Sequence, residues 1–473
     1  MNKQKITYAL GIAAFLSTAA FSPAFADDTT VAGNGAFSNS QVQTNSQTAT
    51  NVNQTNNTQA TNTVTVSNNT GNNAANFNTG SAVNVNSGAA NANVGVTNTA
   101  GSNVAQVSGG GSGDQNTTVA GNGAFSQTNV DANTSSKTGM SQTNTTAFDN
   151  TVNVANNSGK NSADFNTGSN VTVNSGNANA WVGISNTAGA NQAAVSGNSG
   201  NGTTNTVVAG NGAFSDSTAG ANSNNSTAVN QANTANFVNS VNTNNTTGKN
   251  TADFNTGSTV NINTGDANAM VGIVNTAGQN VASVQGGNST SGNDSVAVVG
   301  NGAFSNNSVW ERSALRTALT QTNLTYVTNY IDTMNNTGNN AVSFNTGGDV
   351  NLTTGSANAG VTVFNTAGSN EAWVVSPSLF ASAAEAVILD NGAFSNNSVS
   401  SAQYDDTSVH QNNTTMFNNT VQTKNSTGGN KDNYNTEVAY FMPYYYGMSS
   451  SNSGNANAGV SIYNLASSNT LFN

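Results

Sequence analysis

The sequence predicts an all-β fold, a repeat β-solenoid (β-helix) of five units of about 89 residues each. Three observations predict it. The phrase Gly-Asn-Gly-Ala-Phe-Ser stands at 33–38, 121–126, 210–215 and 300–305, and returns as Asp-Asn-Gly-Ala-Phe-Ser at 390–395; the starts lie 88, 89, 90 and 90 residues apart. Further glycines then recur at constant steps within the units. Between them apolar residues alternate with polar ones, which is the two-residue period of a strand with one buried face.

In chain order, residues 1–26 have the layout of an export signal. Lys3 and Lys5 form a positive start, an apolar stretch runs from Tyr8 to Phe21, and Pro23-Ala24-Phe25-Ala26 puts small residues at a cleavage site ahead of Asp27. Five repeat units follow at 27–115, 116–204, 205–294, 295–385 and 386–473. Gly35 and Gly71 are 36 residues apart, and the equivalent pair keeps that interval in every unit. Gly80, Gly88 and Gly101 follow at steps of 9, 8 and 13, which units two to four repeat. Variation in length is confined to the junction before the next phrase. A disordered Asn-rich tract has no reason to keep such register, whereas stacked turns do.

The settings Asn-Thr-Gly, Asn-Ser-Gly and Asn-Thr-Ala-Gly mark Gly71, Gly80, Gly88 and Gly101 as turn corners, and Gly-Asn-Gly does the same for Gly35; positive φ is expected at them. After Gly88 the alternate positions read Ala90, Ala92, Val94, Val96, Asn98 and Ala100, and the other units repeat the series. The inward amides Asn98, Asn186, Asn275, Asn365 and Asn464 need partners, because a buried unpaired amide is costly. Bonding to neighbouring backbone or ladders between stacked coils would supply them, so a structural role is expected rather than ligand binding. Val64, Val152, Val241, Ile331 and Val421 recur at one position, Phe77, Phe165, Phe254, Phe344 and Tyr434 at another. Val83/Val85 and their counterparts mark a further short strand. Strands are expected to be short, and helical signals are confined to 309–333 and 378–388.

Unit five departs from the pattern. Glu437 replaces the glycine equivalent to Gly80, and nine extra residues fall within 439–448, around Tyr444, Tyr445 and Tyr446. Solenoid ends need protection, so this unit is expected to form a cap or an assembly surface, with the tyrosines as candidate partner contacts. Trp181 is a second candidate contact, on the outward series Asn93, Trp181, Met270 and Gly360; an exposed indole can stack on a sugar or a partner.

Composition excludes several classes. A net charge of −11 over the whole chain, made more negative by removal of Lys3 and Lys5, disfavours nucleic acid. After the leader no stretch approaches the roughly 20 apolar residues of a spanning helix, so no direct membrane insertion is expected. There is no cysteine, hence no disulfide or thiolate metal site, and His410 is the only histidine. Asp164 and Asp253 share a unit position that Asn76, Ser343 and Asn433 occupy elsewhere, which speaks against an obligatory calcium ligand. No phosphate loop, dinucleotide fingerprint or serine elbow is present. The expectation is a protein that is not an enzyme, with no cofactor, no metal and no catalytic residues.

With Gln-Thr-Asn at 43–45, 127–129 and 321–323 and Asn at stacked positions, the chain resembles bacterial exported Asn/Gly/Thr-rich repeat proteins of the surface-fibre and adhesin type, in a curli-like style. The resemblance implies a secreted, extracellular structural protein of the cell surface or matrix whose main partner is itself, a homopolymer of stacked β-coils. The alternative is a monomeric adhesin with a solenoid stalk that contacts a cell-surface protein or glycan near 439–448. A polysaccharide-active or ice-binding β-helix ranks below both: the acidic residues are too sparse for a paired site, and the outward residues differ between units.

Overall fold

A computed structural model describes residues 6–9, 15–16, 27–33, 35–110, 115–168, 170–197, 204–257, 259–286, 295–375, 385–433, 435 and 449–472, with side chains from Asp28 onward. The regular elements among them are all strands, and every strand pairing is parallel. Each unit makes one turn of the coil, so a repeat is a single rung. Asn39 pairs with Gln127, Gln127 with Asp216, Asp216 with Asn306 and Asn306 with Asn396. Side-chain bonds between equivalent residues span the same 88, 89, 90 and 90 residues as the repeated phrase.

One wall of the coil is a five-stranded sheet of 31-residue strands: Asn39–Asn69, Gln127–Asn157, Asp216–Thr246, Asn306–Asn336 and Asn396–Ser426. At about 3.3 Å per residue such a strand is roughly 100 Å long. It fills the 36-residue interval between Gly35 and Gly71, which corrects the expectation of short strands. It also absorbs the helical signal at 309–333. Leu315, Thr317, Leu319 and Gln321 point inward and Arg316 outward, because pairing along both edges overrides local helix preference. Of the segment 378–388, residues 385–388 are strand and the rest lies outside the described residues.

The chain returns along the opposite wall through shorter strands. In the first rung these are Val83–Asn86, Ala90–Thr99 and Asn103–Ser108, followed by Gln115–Ala120, which opens the second rung. The core is a series of columns between the walls. Val64, Val152, Val241 and Ile331 meet Val94, Val96, Val182, Ile184 and their counterparts. Farther along, Met140, Val229 and Leu319 meet Val107, Val195 and Val284. Val130 and Val309 then meet Val119, Val208 and Val298. Each fully buried aliphatic side chain contributes about 1.5–3 kcal/mol.

Five rungs at about 4.8 Å give a stack only about 24 Å high, so the molecule is far longer across the stack than along it. Two pieces of the expected leader, Ile6–Ala9 and Phe15–Leu16, pair with Val94–Thr97 and Asn103–Val104 on the N-terminal edge of the stack.

Gly35, Gly71, Gly80, Gly88 and Gly101 all lie between strands, at corners. Their expected left-handed φ is found only at Gly80 (+89°). At Gly71, and at Gly123, Gly176 and Gly189, the second-rung equivalents of Gly35, Gly88 and Gly101, the reason for glycine is contact between rungs. A Cβ on Gly71 would lie 1.9 Å from the Gly159 carbonyl oxygen, and one on Gly189 would lie 1.8 Å from that of Gly101. Phenylalanine takes left-handed φ instead. Phe37, Phe125, Phe214, Phe304 and Phe394 have φ of 59–61°, with Phe77, Phe165, Phe254 and Phe344 in the same region, between 58° and 61°. Such a conformation costs a non-glycine residue about 1–2 kcal/mol.

Candidate functional site: amide ladders and two open ends

The inward asparagines of the Ala90–Thr99 strand and its counterparts form a continuous ladder. Asn98 Nδ2 donates to Asn186 Oδ1 at 2.9 Å, Asn186 to Asn275, Asn275 to Asn365 and Asn365 to Asn464, each at 2.8 Å. A second ladder faces it from the long wall: Asn62, Asn150, Asn239, Asn329 and Asn419, joined at 2.7–2.8 Å. Cross-bonds close the pair; Asn98 Nδ2 donates to Asn150 Oδ1 at 2.9 Å and Asn150 Nδ2 to Asn186 Oδ1 at 3.1 Å. In the interior rungs each amide therefore donates twice and accepts twice, which removes the penalty for burying it.

The arrangement is repeated nearby. Asn56, Asn144, Asn233, Asn323 and Asn413 on the long wall interlock with Asn103, Asn191, Asn280, Asn370 and Asn469. Asn68, Asn156, Asn245, Asn335 and Asn425 add a fifth column. All five donate from each rung to the next higher-numbered one. Gln142 Nε2 instead donates back to Gln54 Oε1 at 2.7 Å, and Gln231, Gln321 and Gln411 continue in that sense. Sequence reasoning found only the Asn98 column; the others carried a legible signal, Asn or Gln at one position in all five units.

The aspartates also belong to a column. Asn76 Oδ1 accepts the Asp164 backbone N–H, Asp164 Oδ1 that of Asp253, and Asp253 Oδ1 that of Ser343, at 2.7–2.8 Å. Acceptance through a side-chain oxygen explains why Asn and Asp interchange there. Burial pushes the Asp253 carboxyl above its ordinary pKa; the Ser343 N–H opposes this and Asp164 adds to it. Asp405 and Asp432 in the last rung are raised too, Asp405 by burial and its neighbour Asp406, Asp432 by burial against the opposing Asn435 amide.

The phenylalanines at the corners face outward, unlike the inward valines of the Val64 series. They stack between rungs: Phe37, Phe125, Phe214, Phe304 and Phe394 with centroids 5.1 Å apart, and Phe77, Phe165, Phe254 and Phe344 at 4.9–5.0 Å. Trp181 is half-exposed on the outer face of Ala178–Thr187, beside a groove of about 550 Å³ lined by Asn179, Met270, Asn358 and Gly360. Tyr444, Tyr445 and Tyr446 lie outside the described residues.

Among the described residues the last rung is an open edge, and the first is open except where Ile6–Ala9 and Phe15–Leu16 pair with it. Val309, Val361 and Val363 are 0–2% exposed, whereas their last-rung equivalents Val399, Val460 and Ile462 are 52%, 48% and 40% exposed. No family model, curated protein or solved structure matches the chain.

Proposed function

We propose that the chain is a secreted structural protein of the cell surface or extracellular matrix that assembles with itself into fibres by stacking rung upon rung. The observation that carries this reading is the open last rung. Columns of Val, Asn and Phe that are complete in units two to four stop there with their edges exposed. An uncovered parallel sheet edge is a template for another strand, and this one extends over a 31-residue strand. The low charge content, 6% of residues, leaves little repulsion against such pairing.

Electron microscopy of the purified chain in neutral buffer tests the reading, with Val460→Lys as the comparison. Filaments from the parent chain and their loss in Val460→Lys are the expected result. Monomers at all concentrations would contradict it. The groove beside Trp181 favours a second reading, a surface adhesin that stacks a glycan on the indole and bonds it through the Asn179 and Asn358 amides. Loss of glycan binding in Trp181→Ala, with filaments unchanged, would support that role.

A further inference from the structure

We infer that the two open ends are complementary, so that the N-terminal rung of one copy seats in register on the C-terminal rung of another and the fibre is polar. This rests on the self-assembly reading and adds the partner surface and its orientation. The amide columns supply the first argument. In rung two, Asn186 Oδ1 accepts from both Asn98 and Asn150. In rung one, Asn98 Oδ1 accepts only from Asn62, and among the described residues no donor reaches Oδ1 of Asn56, Asn62 or Asn68. At the other end Asn464 Oδ1 accepts from Asn365 and Asn419, while its Nδ2 donates to no described atom. Asn419 Nδ2 donates once, where Asn329 in the rung below donates twice. In these inner Asn columns one face thus presents unfilled acceptors and the other unused donors; the Gln column and the outer Asn174 and Asn179 columns run in the opposite sense, so each column is completed only by the unlike end of another copy.

The second argument is the match between the outermost rungs. Setting Asn396–Ser426 of one copy against Asn39–Asn69 of the next, in the internal register, places Val399 on Val42, Val409 on Val52, Gln411 on Gln54 and Asn413 on Asn56. Asn419 then meets Asn62, Val421 meets Val64 and Asn425 meets Asn68. On the facing wall, Asn464 continues onto Asn98 and Val460 onto Val94. No like charges oppose one another along the long strand: Asp405 and Asp406 meet Thr48 and Ala49, and Lys424 meets Ser67. The Phe394 ring, 82% exposed, continues onto Phe37, 77% exposed.

Two equal faces meeting about a two-fold axis would instead reverse the strands, break these columns and set acceptors against acceptors. The favoured contact is heterologous and non-closing, which generates an open filament rather than a ring or dimer. The leader pieces on the N-terminal face cover backbone at Val94–Thr97 and Asn103–Val104, so the face is fully available only without them.

The absence of cysteine permits a direct test. Thr63 and Thr420 are exposed equivalents on the first and last long strands. Across the inferred junction their Cα atoms would lie about one strand spacing, 4.8 Å, apart, within disulfide range. Thr63→Cys and Thr420→Cys are made separately, in the whole chain and in a chain starting at Asp27. Each is assembled alone and as an equal mixture, then oxidised with copper–phenanthroline. Disulfide-linked dimers only in the mixture are expected. Dimers from either variant alone would overturn the polarity, and filaments without cross-links in the mixture would overturn the register. If neither filaments nor cross-links form in either chain, the self-assembly reading itself fails.

Discussion

Replacement of Asn275 by alanine probes the ladders most sharply. Asn275 is 1% exposed and sits in the middle rung. Its Nδ2 donates to Asn365 Oδ1 at 2.8 Å and to Asn329 Oδ1 at 3.3 Å, and its Oδ1 accepts from Asn186 at 2.8 Å and Asn239 at 3.1 Å. Alanine removes all four bonds. At about 1 kcal/mol net for each, the loss is about 4 kcal/mol, and stranding buried donors and acceptors adds to it. Asn464→Ala loses only two accepted bonds, at 2.8 and 3.4 Å, on an exposed rung, and should cost less than about 2 kcal/mol. Asn275→Leu restores apolar volume but still strands four partners, so it should remain costly, which separates bonding from cavity formation. Urea unfolding gives the global loss, and hydrogen exchange at amides flanking Asn275 and Asn464 gives the local one. Equal effects at the two positions, or full rescue by leucine, would refute the ladder as a source of stability.

Gly189→Ala puts a Cβ 1.8 Å from the Gly101 carbonyl oxygen with no side chain to yield, and hydrogen exchange should show the first two rungs parting at that corner. For Phe214 the usual order of substitutions inverts. Alanine and glycine both lose the stacks with Phe125 and Phe304, but alanine keeps the strain of φ +60°, so Phe214→Ala should unfold at lower urea, by about 1 kcal/mol, than Phe214→Gly. The Asp253 pKa is raised by folding, so its protonated form favours the folded state. The resulting stability is fully present below the ordinary value of 3.8 and lost as pH rises through the folded value. Urea midpoints should therefore rise on mild acidification, and Asp253→Asn should weaken that dependence while stabilising the protein at neutral pH.

The repeat length, the rung offsets and the Asn98 column were legible because they rest on strict recurrence. The long wall was not, for a physical reason. In Asn51-Val52-Asn53-Gln54-Thr55-Asn56 the inward Val52, Gln54 and Asn56 alternate with outward Asn and Thr, so two of three inward positions are as polar as the exposed ones. Ladders make that burial tolerable, and in doing so they erase the hydropathy alternation that reveals a strand. The corner glycines were placed correctly but explained by backbone freedom, when most answer to the approach of the next rung, a long-range contact that recurrence alone does not show. The outward Phe37 and Phe77 columns were hidden likewise, since a recurring phenylalanine ordinarily marks a core. Helical propensity at 309–333 misled because it is local, whereas register with two neighbouring strands decides the conformation.

Fibre diffraction from aligned filaments of the chain tests the central claim most directly. One unit per rung and five rungs per copy predict a reflection near 4.8 Å along the fibre axis, with a longer axial repeat of about 24 Å set by the last rung of each copy. A 4.8 Å reflection perpendicular to the axis, or an axial repeat unrelated to five rungs, would contradict the account.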